Sequence, residues 1–186
     1  DRKSAVIGSM SGTVVELGPG TGVNMRYYAP GVHVIAIEPN PVMHPKLRAA
    51  AESQGVDLEI RQLDGESINV GDGEADAVVA TLVLCGVDDA EQVIREAYRI
   101  LKPGGCYFFV EHVESPDGSR TRQVQRVLRR PHRWIFNGCD ISCDTATTLR
   151  TGPFESVEID TVDRGRSALW VRHQIAGVAQ KAGANS

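Results

Sequence analysis

Short runs of β-branched and apolar residues alternate along this chain with stretches whose apolar positions recur every three or four residues. The first kind of run fits a buried strand and the second fits one face of a helix. Residues 13–17 form a strand entering the glycines Gly18, Gly20 and Gly22, and a short helix follows through Tyr28. Residues 33–38 form a second strand that ends at Pro39, and residues 43–53 are helical, with Gly55 as the stop signal. Residues 58–63 and 75–81 are the third and fourth strands. In residues 90–101, Val93, Ala97, Ile100 and Leu101 share one helix face. The turn Pro103-Gly104-Gly105 then leads into a fifth strand over residues 106–113. Such alternation predicts a mostly parallel sheet covered by helices on both faces. Residues 155–162 and 169–178 read as a terminal hairpin across a tight turn at Arg164-Gly165, which requires antiparallel pairing.

Composition narrows the picture without redirecting it. The chain has 186 residues, 41% hydrophobic and 24% charged, which suits a single domain over the whole length, residues 1–186. A net charge of −4 gives no reason to expect nucleic acid as a partner. Four cysteines do not form a disulfide framework, and Cys85 and Cys106 read as buried thiols of a reducing, cytoplasmic setting. No apolar run is long enough to span a bilayer. Because Asp1 lies so close to the first strand, an N-terminal segment is expected to be missing. Residues 118–150 form an insertion between the fifth strand and the hairpin. Six arginines, but no Asp or Glu, fall between Gly118 and Cys139. Val124, Val127 and Leu128 predict one apolar face there, as in a solvated amphipathic helix.

Candidate chemistry gathers at the strand ends. The first turn reads Glu16-Leu17-Gly18-Pro19-Gly20-Thr21-Gly22, with G-x-G-x-G spacing in place of the G-x-G-x-x-G of dinucleotide sites. An acid before that turn suits a ligand with cationic groups better than a pyrophosphate. Glu38, ending the second strand, is placed to accept from ribose hydroxyls. Asp64-Gly65-Glu66 is placed to meet a base. Taken singly, each is equally a plain turn or a solvated acid.

Together these motifs, with Asp76 and Leu101-Lys102-Pro103-Gly104-Gly105, resemble the class I S-adenosylmethionine-dependent methyltransferases over nearly the whole chain. The resemblance implies a Rossmann-like α/β three-layer sandwich with a mostly parallel seven-stranded sheet ending antiparallel. It implies S-adenosylmethionine as cofactor, held by Glu16, Gly18, Gly20, Gly22, Asn24, Glu38, Pro39, Asp64, Gly65, Glu66 and Leu82. Gly20-Thr21-Gly22-Val23-Asn24, Ile37-Glu38-Pro39-Asn40-Pro41, Thr81-Leu82-Val83-Leu84-Cys85, Val110-Glu111-His112-Val113 and Phe136-Asn137-Gly138-Cys139 further resemble the thiol methyltransferases of the methyltransferase-like family. The chain departs from that group at Cys143, where a basic residue is usual, and at Gly152-Pro153-Phe154.

That resemblance implies a small-molecule acceptor, with a thiol favoured over an oxygen, nitrogen or carbon acceptor. A cofactor-binding module without turnover is the reading of a different class. Cys85, Trp134, Phe136 and Cys139 are the expected acceptor-side residues. Glu111 and His112, at the end of the fifth strand, are the candidate acid–base groups. Backbone hydrogen bonding by Glu111 and a plain core role for His112 are equally open. Cys139 and Cys143 are four apart, but without a second ligand pair in sequence no metal is expected. The oligomeric state is not legible.

Overall fold

A computed structural model describes residues 2–66, 68–116, 118–135, 139–163, 165 and 170–184. Seven strands form one sheet: β1 Thr13–Leu17, β2 His33–Ile37, β3 Asp57–Arg61, β4 Ala75–Thr81, β5 Leu101–His112, β6 Ser156–Asp163 and β7 His173–Gln180. Their order is β3-β2-β1-β4-β5-β7-β6. The first five pair in parallel, and β7 runs antiparallel to both β5 and β6. The helices are α1 Arg2–Gly8, α2 His44–Gln54, α3 Ala90–Ile100, α4 Arg120–Ile135 and α5 Thr145–Thr151.

The alternation of side chains along each strand builds two cores. Val15, Leu17, Tyr107 and Phe109 join Val93, Ile94 and Ala97 of α3 and Leu149 of α5 on one face. Val14, Phe108 and Val110 join Ile7 of α1 and Leu47 and Ala51 of α2 on the other. Helices on both faces of the sheet make the expected three-layer sandwich, and the antiparallel end is present as well. Caps delimit the helices locally. The Asp89 carboxylate accepts from Gln92 N at 2.8 Å to start α3, and Gly55, in the left-handed region at φ 67°, stops α2.

Several boundaries differ from the sequence reading. β3 lies one residue earlier and ends at Arg61, because its register follows β2 from Asp57 onward. β5 begins at Leu101, pairing with Ala75 before an irregularity in register. The antiparallel pairing of the hairpin extends from Ser156 with Gln180 to Asp163 with His173, and Arg164 of the expected turn lies outside the described residues. Of residues 169–178, the first lies outside the described residues, and β7 continues to Gln180. α1 was unforeseen, being seven residues with one fully buried side chain, Ile7. The apolar face of α4 also changes, since Val127 is 76% exposed while Gln125 and His132 are buried.

Candidate active site

The strand order reverses between β1 and β4, and open α/β sheets bind ligands beyond the carboxyl ends of their strands at such a point. A cleft of about 370 Å³ lies there, within the range of small-molecule sites. Gly18, Glu38, Pro39, Asp64, Gly65, Glu66 and Leu82, all anticipated from sequence, line it. Leu17 and Ile37 at the ends of β1 and β2 also line it, as do Val83, Gly86, Val87 and Asp88, which the sequence reading missed because the loop after β4 carries no distinctive spacing. The Glu66 carboxylate fixes that loop by accepting from Asp88 N at 3.2 Å and Asp89 N at 3.0 Å. Leu82 has a φ of 60°, a costly conformation for a side chain with a Cβ, at the cleft edge.

Beneath the cleft the glycine turn is held by carboxylates. Glu38, 5% exposed, accepts from Gly20 N and from Asn40 N, each at 2.9 Å. Gly18 and Gly20 have φ of 54° and 58°; a Cβ at Gly18 would meet Val83 Cγ2 at 2.9 Å, whereas none at Gly20 would meet anything. Glu16 does not reach the cleft. It is fully buried, accepting from Asn24 Nδ2 at 2.7 Å and from the Tyr28 hydroxyl at 2.8 Å. Burial pushes its carboxyl up to about 7 against these hydrogen bonds. Asn24 Nδ2 also donates to Thr81 Oγ1 at 2.7 Å, and Asn24 Oδ1 is left buried with no partner. Gly22 is buried behind the same turn.

A second set of groups stands at the end of β5. Glu111 Oε1 accepts from Val83 N at 2.9 Å and Leu84 N at 3.0 Å, and Oε2 accepts from Cys85 N at 3.3 Å. The carboxylate thus serves the start of the short helical turn Leu84–Gly86. Burial raises its pKa to about 7, opposed by the three amides. His112 Nδ1 faces Cys139 Sγ at 3.7 Å and Cys85 Sγ at 4.0 Å, while the two sulfurs lie 3.3 Å apart. The Cys85–Cys139 contact lowers the Cys139 pKa and raises that of Cys85, which burial raises further. Cys143 takes no part in this group; its thiol donates to the Asp140 carbonyl at 3.1 Å.

The segment that follows β5 is tied onto these groups. Asp140 N donates to the Cys85 carbonyl at 2.6 Å. Gln125, fully buried in α4, accepts from Ser115 N at 2.9 Å and donates to the carbonyls of Val113 at 3.2 Å, Ile141 at 3.1 Å and Trp170 at 3.2 Å. Three of the arginines answer acids outside their own run, Arg122 to Glu114 at 2.7 Å, Arg129 to Asp140 at 2.6 Å and Arg133 to Asp88 at 3.9 Å. Trp134, expected on the acceptor side, is 88% exposed. Phe136 lies outside the described residues.

The methyltransferase domain family matches residues 15–109, just over half of the chain and the part that forms the cleft. The chain belongs to this family. A thiol S-methyltransferase of Homo sapiens, TMT1A, is 34% identical over 172 residues, which cover 91% of this chain and 70% of that protein. A thiol S-methyltransferase of Rattus norvegicus, TMT1B, is 38% identical over 151 residues, 80% of this chain and 62% of that protein. Among solved structures, the 4+2 cyclase SpnF superposes with a TM-score of 0.74 at 19% identity over 98% of this chain and 81% of that one, a likeness of fold alone.

As a member of this methyltransferase family, the protein is an enzyme that takes its methyl group from S-adenosylmethionine. Its residues fit that donor. The open space at Gly20, the buried Glu38 carboxylate and the unfilled acceptor Asn24 Oδ1 suit a ligand rich in hydroxyl and ammonium donors. When bound, the donor supplies an electrophilic methyl on a sulfonium; the chain's own part is to orient it and keep the acceptor in line.

Proposed function

We propose that the protein methylates the sulfur of a small-molecule thiol. The thiol specificity of the two relatives supports this, and one structural observation carries it: the candidate base is already engaged. Both oxygens of Glu111 accept from backbone amides, and His112 Nδ1 faces two sulfurs. A hydroxyl acceptor needs a strong base, whereas a thiol ionises near neutrality and is itself a good nucleophile. The sulfonium beside it favours the thiolate further.

In this reading Glu38 and Asp64 hold ribose and adenine, Gly18 and Gly20 admit the methionine end, and Glu16 acts through Asn24. Residues 118–150 cover the acceptor, with Cys85 and Cys139 on its wall and Glu111 as a brace for the loop after β4. The single domain and a cytoplasmic setting belong to the same proposal. Four free thiols suit a reducing compartment, and among the described residues no helix is long and apolar enough to cross a membrane. The test is release of S-adenosylhomocysteine with a panel of thiols, phenols and amines. Turnover of thiols is expected; turnover of a phenol or amine with no thiol accepted refutes the assignment.

A further inference from the structure

Cys85, His112 and Cys139 bring three metal-binding atoms together, although they come from three separate parts of the chain. The loop after β4 supplies Cys85, the end of β5 supplies His112, and the segment after α4 supplies Cys139. The three separations are 3.3 Å between the sulfurs, and 3.7 and 4.0 Å from His112 Nδ1 to Cys139 and Cys85. A tetrahedral zinc ion with ordinary bond lengths would set its ligand edges at about 3.8 Å for sulfur–sulfur and about 3.6 Å for sulfur–nitrogen. Each observed edge is within about half an ångström of that ideal. A disulfide would need the sulfurs at about 2.05 Å, a much larger closure, together with an oxidant.

Two thiolates and an imidazole form a donor set suited to zinc. The surroundings hold each donor in place. Glu111 accepts from Cys85 N, and Asp140 N donates to the Cys85 carbonyl. The Cys139 carbonyl lies 3.2 Å from His132 Nδ1. Cys85 and His112 are 2% and 8% exposed, so these polar atoms have little access to bulk water. Among the described residues no fourth His, Cys, Asp or Glu joins the group. Three protein ligands with a free position is the pattern of zinc sites that bind a substrate; four protein ligands is that of structural sites.

We propose that Cys85, His112 and Cys139 form a zinc site beside the methyl-donor cleft, with its fourth position taken by the acceptor thiol as thiolate. Cys85 directly precedes the cleft-lining Gly86, and Glu111 holds the amides of both Cys85 and the cleft-lining Val83, which sets the three ligands beside the cleft. The thiol gives up its proton to solvent on coordination. Its sulfur lone pair then attacks the methyl carbon, and the electron pair of the breaking carbon–sulfur bond stays on the donor sulfur. The products are an S-methyl thioether, a poorer zinc ligand that leaves, and S-adenosylhomocysteine. The fourth-ligand role rests on the thiol reading above; the metal site itself does not.

The test is zinc binding by the purified, reduced full chain, read by metal analysis after dialysis and by competition with a chromophoric chelator. One Zn²⁺ per chain is expected, with a raised melting temperature. Cys139→Ser, in the half-buried loop, and Cys85→Ser are each expected to lose more affinity than the about 10–100-fold typical of an outer-shell change. Cys143→Ser is expected to bind as the parent does. Absence of stoichiometric zinc, binding that survives the Cys139 and Cys85 changes, or recovery of the chain as a Cys85–Cys139 disulfide would overturn the site. Adding a thiol to the cobalt-substituted protein is expected to alter its visible spectrum, while the matching thioether leaves it unchanged. An unaltered spectrum overturns the fourth-ligand role. Full thiol turnover by a zinc-free chain overturns the fourth-ligand role and leaves the thiol assignment intact. Stoichiometric zinc without any thiol turnover overturns the thiol assignment and leaves the metal site intact.

Discussion

The cleft and the Cys85–His112–Cys139 group lie at the same edge of one sheet, yet they are built in opposite ways. The cleft takes its residues from consecutive strand-to-loop junctions, Gly18, Glu38 and Asp64, each following its own strand. Its glycines and acids sit at strand ends, where Glu38 and Glu66 tie neighbouring loops through backbone amides. The second group is assembled from Cys85, His112 and Cys139, which are separated by 27 residues on each side. It is held by buried side chains, Glu111 and Gln125, that reach across elements.

The sharpest break comes at the brace. Glu111→Ala would leave the amides of Val83, Leu84 and Cys85 without their acceptor in a buried place. At about 1–3 kcal/mol for each unsatisfied group, the expected loss is about 3 kcal/mol or more. Urea unfolding measures it. Glu111→Gln, which keeps an acceptor, is expected to lose less and to retain most thiol turnover. A stable but inactive Glu111→Ala would instead make Glu111 the base.

The donor side is broken by Glu38→Ala. Losing hydrogen bonds to a charged group is expected to weaken S-adenosylmethionine binding by about 1–3 kcal/mol, or about 5- to 150-fold. Calorimetry reads this directly, and unchanged affinity removes Glu38 from the site. On the other side, Gln125→Ala is expected to raise the acceptor KM while donor affinity stays within about twofold, a free-energy change below about 0.5 kcal/mol. Equal damage to both substrates would show that the two regions are coupled.

This contrast also explains what the sequence could convey. Strand periodicity, the glycine spacing and the acids at strand ends are local, so the sheet and seven of the eleven expected donor residues on the cleft wall were legible. Glu16 was misplaced because alternation along β1 turns it away from the cleft toward Asn24 and Tyr28. Cys139 was weighed against Cys143, its neighbour in sequence, whereas the sheet order and the fold of residues 118–150 bring it to Cys85 and His112. No spacing rule encodes such a meeting. α1 is not legible for a related reason, since a seven-residue helix gives too few turns for periodicity.

The smallest expected effect concerns Glu16, the one donor-side acid that lies wholly inside the protein. Its folded pKa of about 7 stands above the ordinary value of 4.5 because burial disfavours the charge. Between those values the folded chain holds a proton that the unfolded chain has released. Stability therefore falls as pH rises through the window and levels off above the folded pKa. Over the single unit from pH 6 to pH 7, one such group contributes a loss of about 1 kcal/mol. Glu111, raised to the same value, adds a slope of its own, so the wild type alone cannot apportion the effect. Glu16→Gln keeps the hydrogen-bonding shape without the charge and should remove about half of the decline. Melting curves across that pH range, without donor, test this. An unaltered slope in the variant would mean that Glu16 is already ionised at pH 6, with Tyr28 and Asn24 compensating its burial in full.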